Sequence, residues 1–208
     1  MARRLWQAKS ERIVKPDSLK RGLYLEYATL GWNVVGTAFV ITAAISAGSV
    51  ALAGFGIDSL IEILASLVVV WQLRGGDQPR ERTALRLIGI AFFALVLYIL
   101  IQSAHTLIAQ TRPATSALGI VWLAATLIAM LALAWGKSQT GKALNNSVLL
   151  TEGHVTLVDA YLAAAVLIGL ILNGLFGWWW TDPLAGLVIV YYGLREGWHA
   201  WHEAGAMA

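Results

Sequence analysis

Ser49-Val-Ala-Leu-Ala-Gly-Phe-Gly-Ile-Asp58-Ser-Leu-Ile-Glu62-Ile-Leu-Ala-Ser-Leu-Val-Val-Val-Trp71 decides the fold. As a helix rising about 1.5 Å per residue, this stretch is long and apolar enough to cross a hydrocarbon layer about 30 Å thick. Asp58 and Glu62 nevertheless sit in its middle, one helical turn apart and so on one face. A lone charge at that depth costs several kcal/mol, so the pair must face a partner cation, a wet cavity or each other's protons. The two acids are the first functional candidates.

The surrounding chain is of the same kind. It is 58% hydrophobic and only 13% charged, against about 25% charged for an ordinary soluble domain, and its mean hydropathy is +0.67. The expected fold is therefore all-α, a polytopic membrane protein. Its 208 residues provide for roughly six helices of about 20 residues with short connections, and for no sizeable soluble domain. The absence of cysteine excludes disulfides, thiolate ligands and a cysteine nucleophile. Carboxylates, His, Asn and water are left for any metal chemistry.

Outward from the decisive stretch, the first span runs from Leu23 to about Ala47 and carries Glu26 near its inner end and Asn33. Span two closes at the polar segment Arg74-Gly-Gly-Asp-Gln-Pro-Arg80-Glu-Arg82, and span three, with His105, follows to Ala109. Span four is read as Ala117 to Trp135, with Gly136 to Asn146 as a break. Span five is Ser147 to Phe176, with Glu152, His154 and Asp159, and span six is Leu184 to about Trp198. Trp178, Trp179 and Trp180 have the aromatic load of a membrane interface. The expected organisation is a basic tail over 1–22, a six-helix membrane domain over 23–203 and a short tail over 204–208.

The tail carries seven cations, Arg3, Arg4, Lys9, Arg12, Lys15, Lys20 and Arg21, without an apolar core, so it is not a secretory signal. Its charge sets topology and touches anionic lipid rather than binding nucleic acid. Arg74, Arg80, Arg82, Arg86, Lys137 and Lys142 fall on the same side, against Arg112 alone opposite. By the positive-inside rule both termini are cytoplasmic. The expected location is a bacterial inner (plasma) membrane.

Span two enters from outside near Ser49, which puts Asp58 roughly 13 Å deep and Glu62 about 6 Å deeper. Span five enters from inside near Ser147, which puts Glu152 roughly 8 Å up and Asp159 about 18 Å up. Asp58 is then level with Asp159, and Glu62 with Glu152. The four acids form one site if helices two and five are neighbours. Up to four negative charges in a low dielectric require a bound cation or protons. A divalent metal and protons compete for the same oxygens, which is the coupling an exchanger needs.

Some residues carry two readings. Glu152 either joins the site or sits in solvent at its mouth. His154, five residues from Asp159, is a ligand or a hydrogen-bonded helix histidine. Asn33 lends a carbonyl to the site or bridges helices. Gly54 and Gly56 give close helix packing or a flexible point. His105 lies near the outer end of its span and away from the site, while His199, His202 and Glu203 belong to an amphipathic tail or a weak metal site at the cytoplasmic exit.

The run Gly48-Ser-Val-Ala-Leu-Ala-Gly-Phe-Gly-Ile-Asp58-Ser-Leu-Ile-Glu62 resembles the second-helix signature of the cation diffusion facilitators, six-helix exporters of divalent metals. Glu152 through Asp159, with Trp180-Thr-Asp182-Pro183, resembles their fifth helix and the start of the sixth. The resemblance implies a transport site between helices two and five, onto which Asp58, Glu62 and Asp159 map. The usual fifth-helix histidine falls on Val155, which cannot ligate, and Glu152 matches an acidic position one turn earlier. An all-carboxylate site is harder and would accept Mn²⁺ or Fe²⁺ beside Zn²⁺, the first expectation, unless His154 turns inward to supply nitrogen.

The resemblance further implies metal/proton antiport by alternating access, no prosthetic group and a subgroup without the cytoplasmic C-terminal domain. Its homodimer would be held by membrane helices or the basic tail. Two rivals remain: a membrane metal sensor or assembly partner of the same fold, and a membrane-embedded metal-dependent hydrolase. Against the latter, the chain has no His-Glu-x-x-His and no Gly-x-Ser-x-Gly.

Overall fold

The computed structural model describes residues 16–73, 78–144 and 147–206, and six helices fill almost all of them: α1 Pro16–Ala47, α2 Val50–Leu73, α3 Gln78–Ala109, α4 Ala117–Leu144, α5 Ser147–Phe176 and α6 Thr181–Ala206. No strand occurs among the described residues. Helical structure throughout is what a hydrocarbon solvent demands, because each backbone N–H and C=O must find its partner within its own segment.

Three helices stop on a residue in the left-handed region. Gly48 (φ 63°), Gln110 (φ 53°) and Gly177 (φ 68°) follow the last residues of α1, α3 and α5. The hydrogen bonds are those of helix C-caps: Ser49 N–H donates to Ala44 O and Thr111 N–H to Thr106 O, both at 3.2 Å, and Gly177 N–H to Asn173 O at 2.9 Å. Glycine meets a positive φ without strain at two of these turns. All three lie on the side that the positive-inside rule places outward, where the connections are short.

Five helices are long and apolar enough, over Lys20–Ala47, Val50–Leu67, Leu85–Ala109, Ala117–Leu144 and Glu152–Phe176, to cross a membrane. The sixth expected span, α6, has the length at 26 residues but carries Arg195, Glu196, His199, His202 and Glu203 in its second half. It packs along α3. There Gly89 of α3 and Gly197 of α6 bring the backbones so close that a Cβ at Gly89 would stand 3.2 Å from Gly197 O. Helices α1, α2, α4 and α5 form the other group, with α4 on α5 and α1 on both α2 and α4.

The four-helix group is apolar outside and polar inside. Its outer surface exposes Ile45, Val121, Ile128 and Leu175, each more than two-thirds exposed and suited to lipid. Its buried faces carry Glu26, Thr29 and Asn33 on α1, Asp58, Glu62 and Ser66 on α2, Thr126 and Lys137 on α4, and Glu152, Thr156 and Asp159 on α5. Spacings of three, four or eleven residues keep each set on one helix face. An aromatic stack closes α1 onto α4: Trp122 lies 5.1 Å from Trp32 and 4.7 Å from Phe39, and Trp32 Nε1–H donates to Thr126 Oγ1 at 3.2 Å.

Several helices run beyond the apolar spans read from the sequence. α1 begins at Pro16 rather than Leu23, and α4 continues to Leu144, so that Gly136 to Leu144 is helix and not a break. The reading of Lys137 as a loop cation is overturned with it, because Lys137 lies within α4 and has no exposure at all. The start of the second-to-third connection, and residues 1–15 of the tail, lie outside the described residues.

Candidate metal centre

Asp58, Glu62 and Asp159 come together between α2 and α5. All three are buried, at 4%, 4% and 6% exposure. The Asp159 carboxyl is within hydrogen-bond reach of both Asp58 and Glu62. A hydrogen bond between two carboxyl groups needs a proton on one of them. Asp159 Oδ2 and Glu62 Oε1 are buried without a hydrogen-bond partner among the described residues. Asn33 of α1 donates from Nδ2 to Glu62 Oε2 at 2.6 Å, which fixes the carboxyl and ties α1 to α2. Of the two readings for Asn33, the structure gives the bridge.

No three His, Asp or Glu side chains among the described residues already stand in ligating geometry.

Glu152 lies nearer the inner end than the depth estimate placed it, level with Ser66 rather than Glu62. Ser66 Oγ–H donates to its Oε1 at 3.3 Å. It is 4% exposed, so it does not sit in solvent. Lys137 is its main partner, with Nζ 3.3 Å from Oε1. His154 is on a different face and exposed. Its Nε2 is 3.3 Å from the Arg195 guanidinium, a neighbour that discourages a cation. Together with Glu196, His199 and His202 it lines a cavity of about 690 Å³ between the inner parts of α5 and α6. Val155, at the position of the family's usual histidine, lines the same cavity. His105 is exposed on α3.

The reading of sequence missed two features. Lys137 is the first, a buried cation beside the acids. A signal existed, since Thr126, Met130 and Lys137 continue one buried face at helical spacing. The second is Asp182, 1% exposed, which closes the outer end. Its Oδ2 accepts from Val50 N–H at 2.9 Å and Ala51 N–H at 3.4 Å, and its Oδ1 accepts from the Ser49 hydroxyl. Ser49 Oγ in turn accepts from Leu52 N–H at 3.0 Å, the N-cap geometry. An acid from α6 therefore holds the positive end of α2, the helix that carries Asp58 and Glu62.

Asp182→Ala strips three buried donors of their acceptor. The expected cost is at least about 2 kcal/mol, or a fall of about 4–8 °C in melting temperature. Thermal unfolding in detergent reads it, with Asp182→Asn recovering part because it keeps one acceptor oxygen. A melting curve unmoved by Asp182→Ala would show that the clamp contributes nothing.

The fold and buried acids define a polytopic helical membrane protein with a carboxylate centre between two of its spans. The chain belongs to the cation efflux transmembrane domain family, whose match covers residues 27–207. It is also similar to transmembrane protein 163 of Xenopus laevis, at 23% identity over 187 residues, covering 85% of this chain and 66% of that protein. An uncharacterized transporter of Synechocystis sp. is 26% identical over 187 residues, covering 85% of this chain and 58% of its own. The chain thus spans about three-fifths of the length of these relatives.

Proposed function

We propose that the chain transports a divalent metal ion across the membrane in exchange for protons, by alternating access around Asp58, Glu62 and Asp159. The observation that carries this reading is the contact of three buried carboxyl groups from two facing helices, with oxygens left unpartnered. Carboxyl groups in mutual contact hold protons between them. A divalent ion entering the cluster takes over those oxygens and releases the protons, so metal and protons occupy the site in turn.

An all-oxygen donor set selects by charge and size rather than by softness. Zn²⁺ is the first candidate, and Mn²⁺ and Fe²⁺ fit the same set. Glu152 extends the site toward the cytoplasm, while His154 stays outside it beside Arg195. Efflux from the cytoplasm of a bacterial inner membrane, and a homodimer held through membrane helices or the basic tail, complete the proposal.

The test is flux of Zn²⁺, Mn²⁺ and Fe²⁺ into proteoliposomes under an imposed pH gradient, with internal pH followed in parallel. Metal moving against protons is the expected result. Metal bound but never moved would favour a sensor of the same fold.

A further inference from the structure

The inner half of the polar interior already holds a cation. Lys137 Nζ lies 3.2 Å from Glu26 Oε2, 3.3 Å from Glu152 Oε1 and 3.0 Å from Thr156 Oγ1, joining α4 to α1 and α5. Lys137 and Glu26 have no exposure, and neither oxygen of Glu26 has a hydrogen bond of good geometry among the described residues. The ammonium stands between Glu26 and Glu152 as their shared counter-charge.

Two carboxylates facing one another in a low dielectric repel, and one ammonium offsets only one of the two charges. A divalent ion would offset both. The ammonium is a compact charge on a flexible four-carbon stem, so it can leave a carboxylate by rotating its own side chain. An arginine fork would bind the pair more rigidly. Ser66 places a hydroxyl oxygen beside Glu152, and Thr156 places one beside the ammonium itself, so that with the two carboxyls the position of the ammonium is ringed by oxygen donors of the kind that hard divalent ions favour.

We propose that Lys137 is a tethered cation that occupies a second divalent-metal site, formed by Glu26 and Glu152, and that metal passing between the cytoplasmic end and Asp58, Glu62 and Asp159 displaces it. The inference rests on the transport reading for its role and on the Lys137 contacts for its geometry. Lys137 then acts as an inner gate: while it holds both acids, the path to the carboxylate centre is closed to a cation by charge.

The test is Zn²⁺ binding by equilibrium dialysis on the full chain in detergent. Lys137→Gln is expected to fill the second Zn²⁺ site at a lower free Zn²⁺ concentration than the native chain needs, with the same number of ions at saturation, and Lys137→Gln with Glu152→Gln is expected to lose that second ion. Second-ion binding at the same free Zn²⁺ concentration in Lys137→Gln and the native chain overturns the proposal. Zn²⁺ binding by the native chain that disappears in Asp159→Asn supports the carboxylate centre. If no bound Zn²⁺ depends on Asp159, the transport reading falls, while the shift of the second ion on removing Lys137 still decides the tether.

Should Lys137→Gln fail to fold, the native chain supplies the answer through reductive methylation with formaldehyde, read at Lys137 by mass spectrometry. Lys137 is expected to resist modification without Zn²⁺ and to become reactive when Zn²⁺ is saturating. Modification unaffected by Zn²⁺ overturns the displacement.

Discussion

Asp159→Asn is expected to leave the chain folded and to reduce metal-driven proton movement at least about 100-fold, more than the loss of a supporting residue around a metal would cause. The substitution keeps the side chain's shape and one oxygen, but it removes the ionisable carboxyl group that meets both Asp58 and Glu62. What remains is two acids on α2, with no carboxylate across the gap on α5 to share an ion. Alternating access needs the ion held from both helices so that their relative movement changes its exposure. Asp58→Ala should be silent for the same reason. The proteoliposome assay reads both variants against His105→Ala, whose side chain is exposed away from the centre and whose flux should match the native chain. Normal flux in either acid variant would sink the site assignment.

That centre was legible because its chemistry violates its surroundings. Asp58 and Glu62 are four residues apart in an otherwise apolar run, so periodicity alone puts them on one face, and counting residues from opposite membrane surfaces brings Asp159 to their depth. The same arithmetic missed the level of Glu152 by about one turn, because each span was counted from its apolar boundary without knowledge of helix tilt or offset. Lys137 was missed for a different reason. Gly136-Lys137-Ser138-Gln139-Thr140-Gly141 has the composition of a loop, and hydropathy ends the span at Trp135. In the structure α4 continues because its neighbours bury this polar turn: Gly136 fits against Leu25, Gly141 against Leu150, and the ammonium finds its acids. A hydropathy window reads each residue against lipid, whereas these residues face other helices. α6 gave the converse difficulty, since its charged second half lowers its apolar character although it lies along α3.

The Lys137 network also carries a large stability expectation. Lys137→Leu leaves Glu26 and Glu152 buried without their cation, and loss of one member of a buried ion pair costs about 3–5 kcal/mol. For a chain of this size that corresponds to a fall of about 6–20 °C in melting temperature. The cost belongs to the stranded charges rather than to a lost attraction. Adding Glu26→Gln and Glu152→Gln to Lys137→Leu should therefore restore most of the stability, because well-packed neutral groups replace buried ions with little net penalty. Lys142→Leu, on an exposed position of the same helix, should move the melting temperature little. If Lys137→Leu and the triple variant melt together well below the native chain, the loss comes from packing around α4 and not from charge. If the triple variant recovers, the three side chains act as one electrostatic unit joining α1, α4 and α5. Such a unit stabilises the state in which it is assembled, so any movement that separates Lys137 from its acids must be driven by a replacement charge.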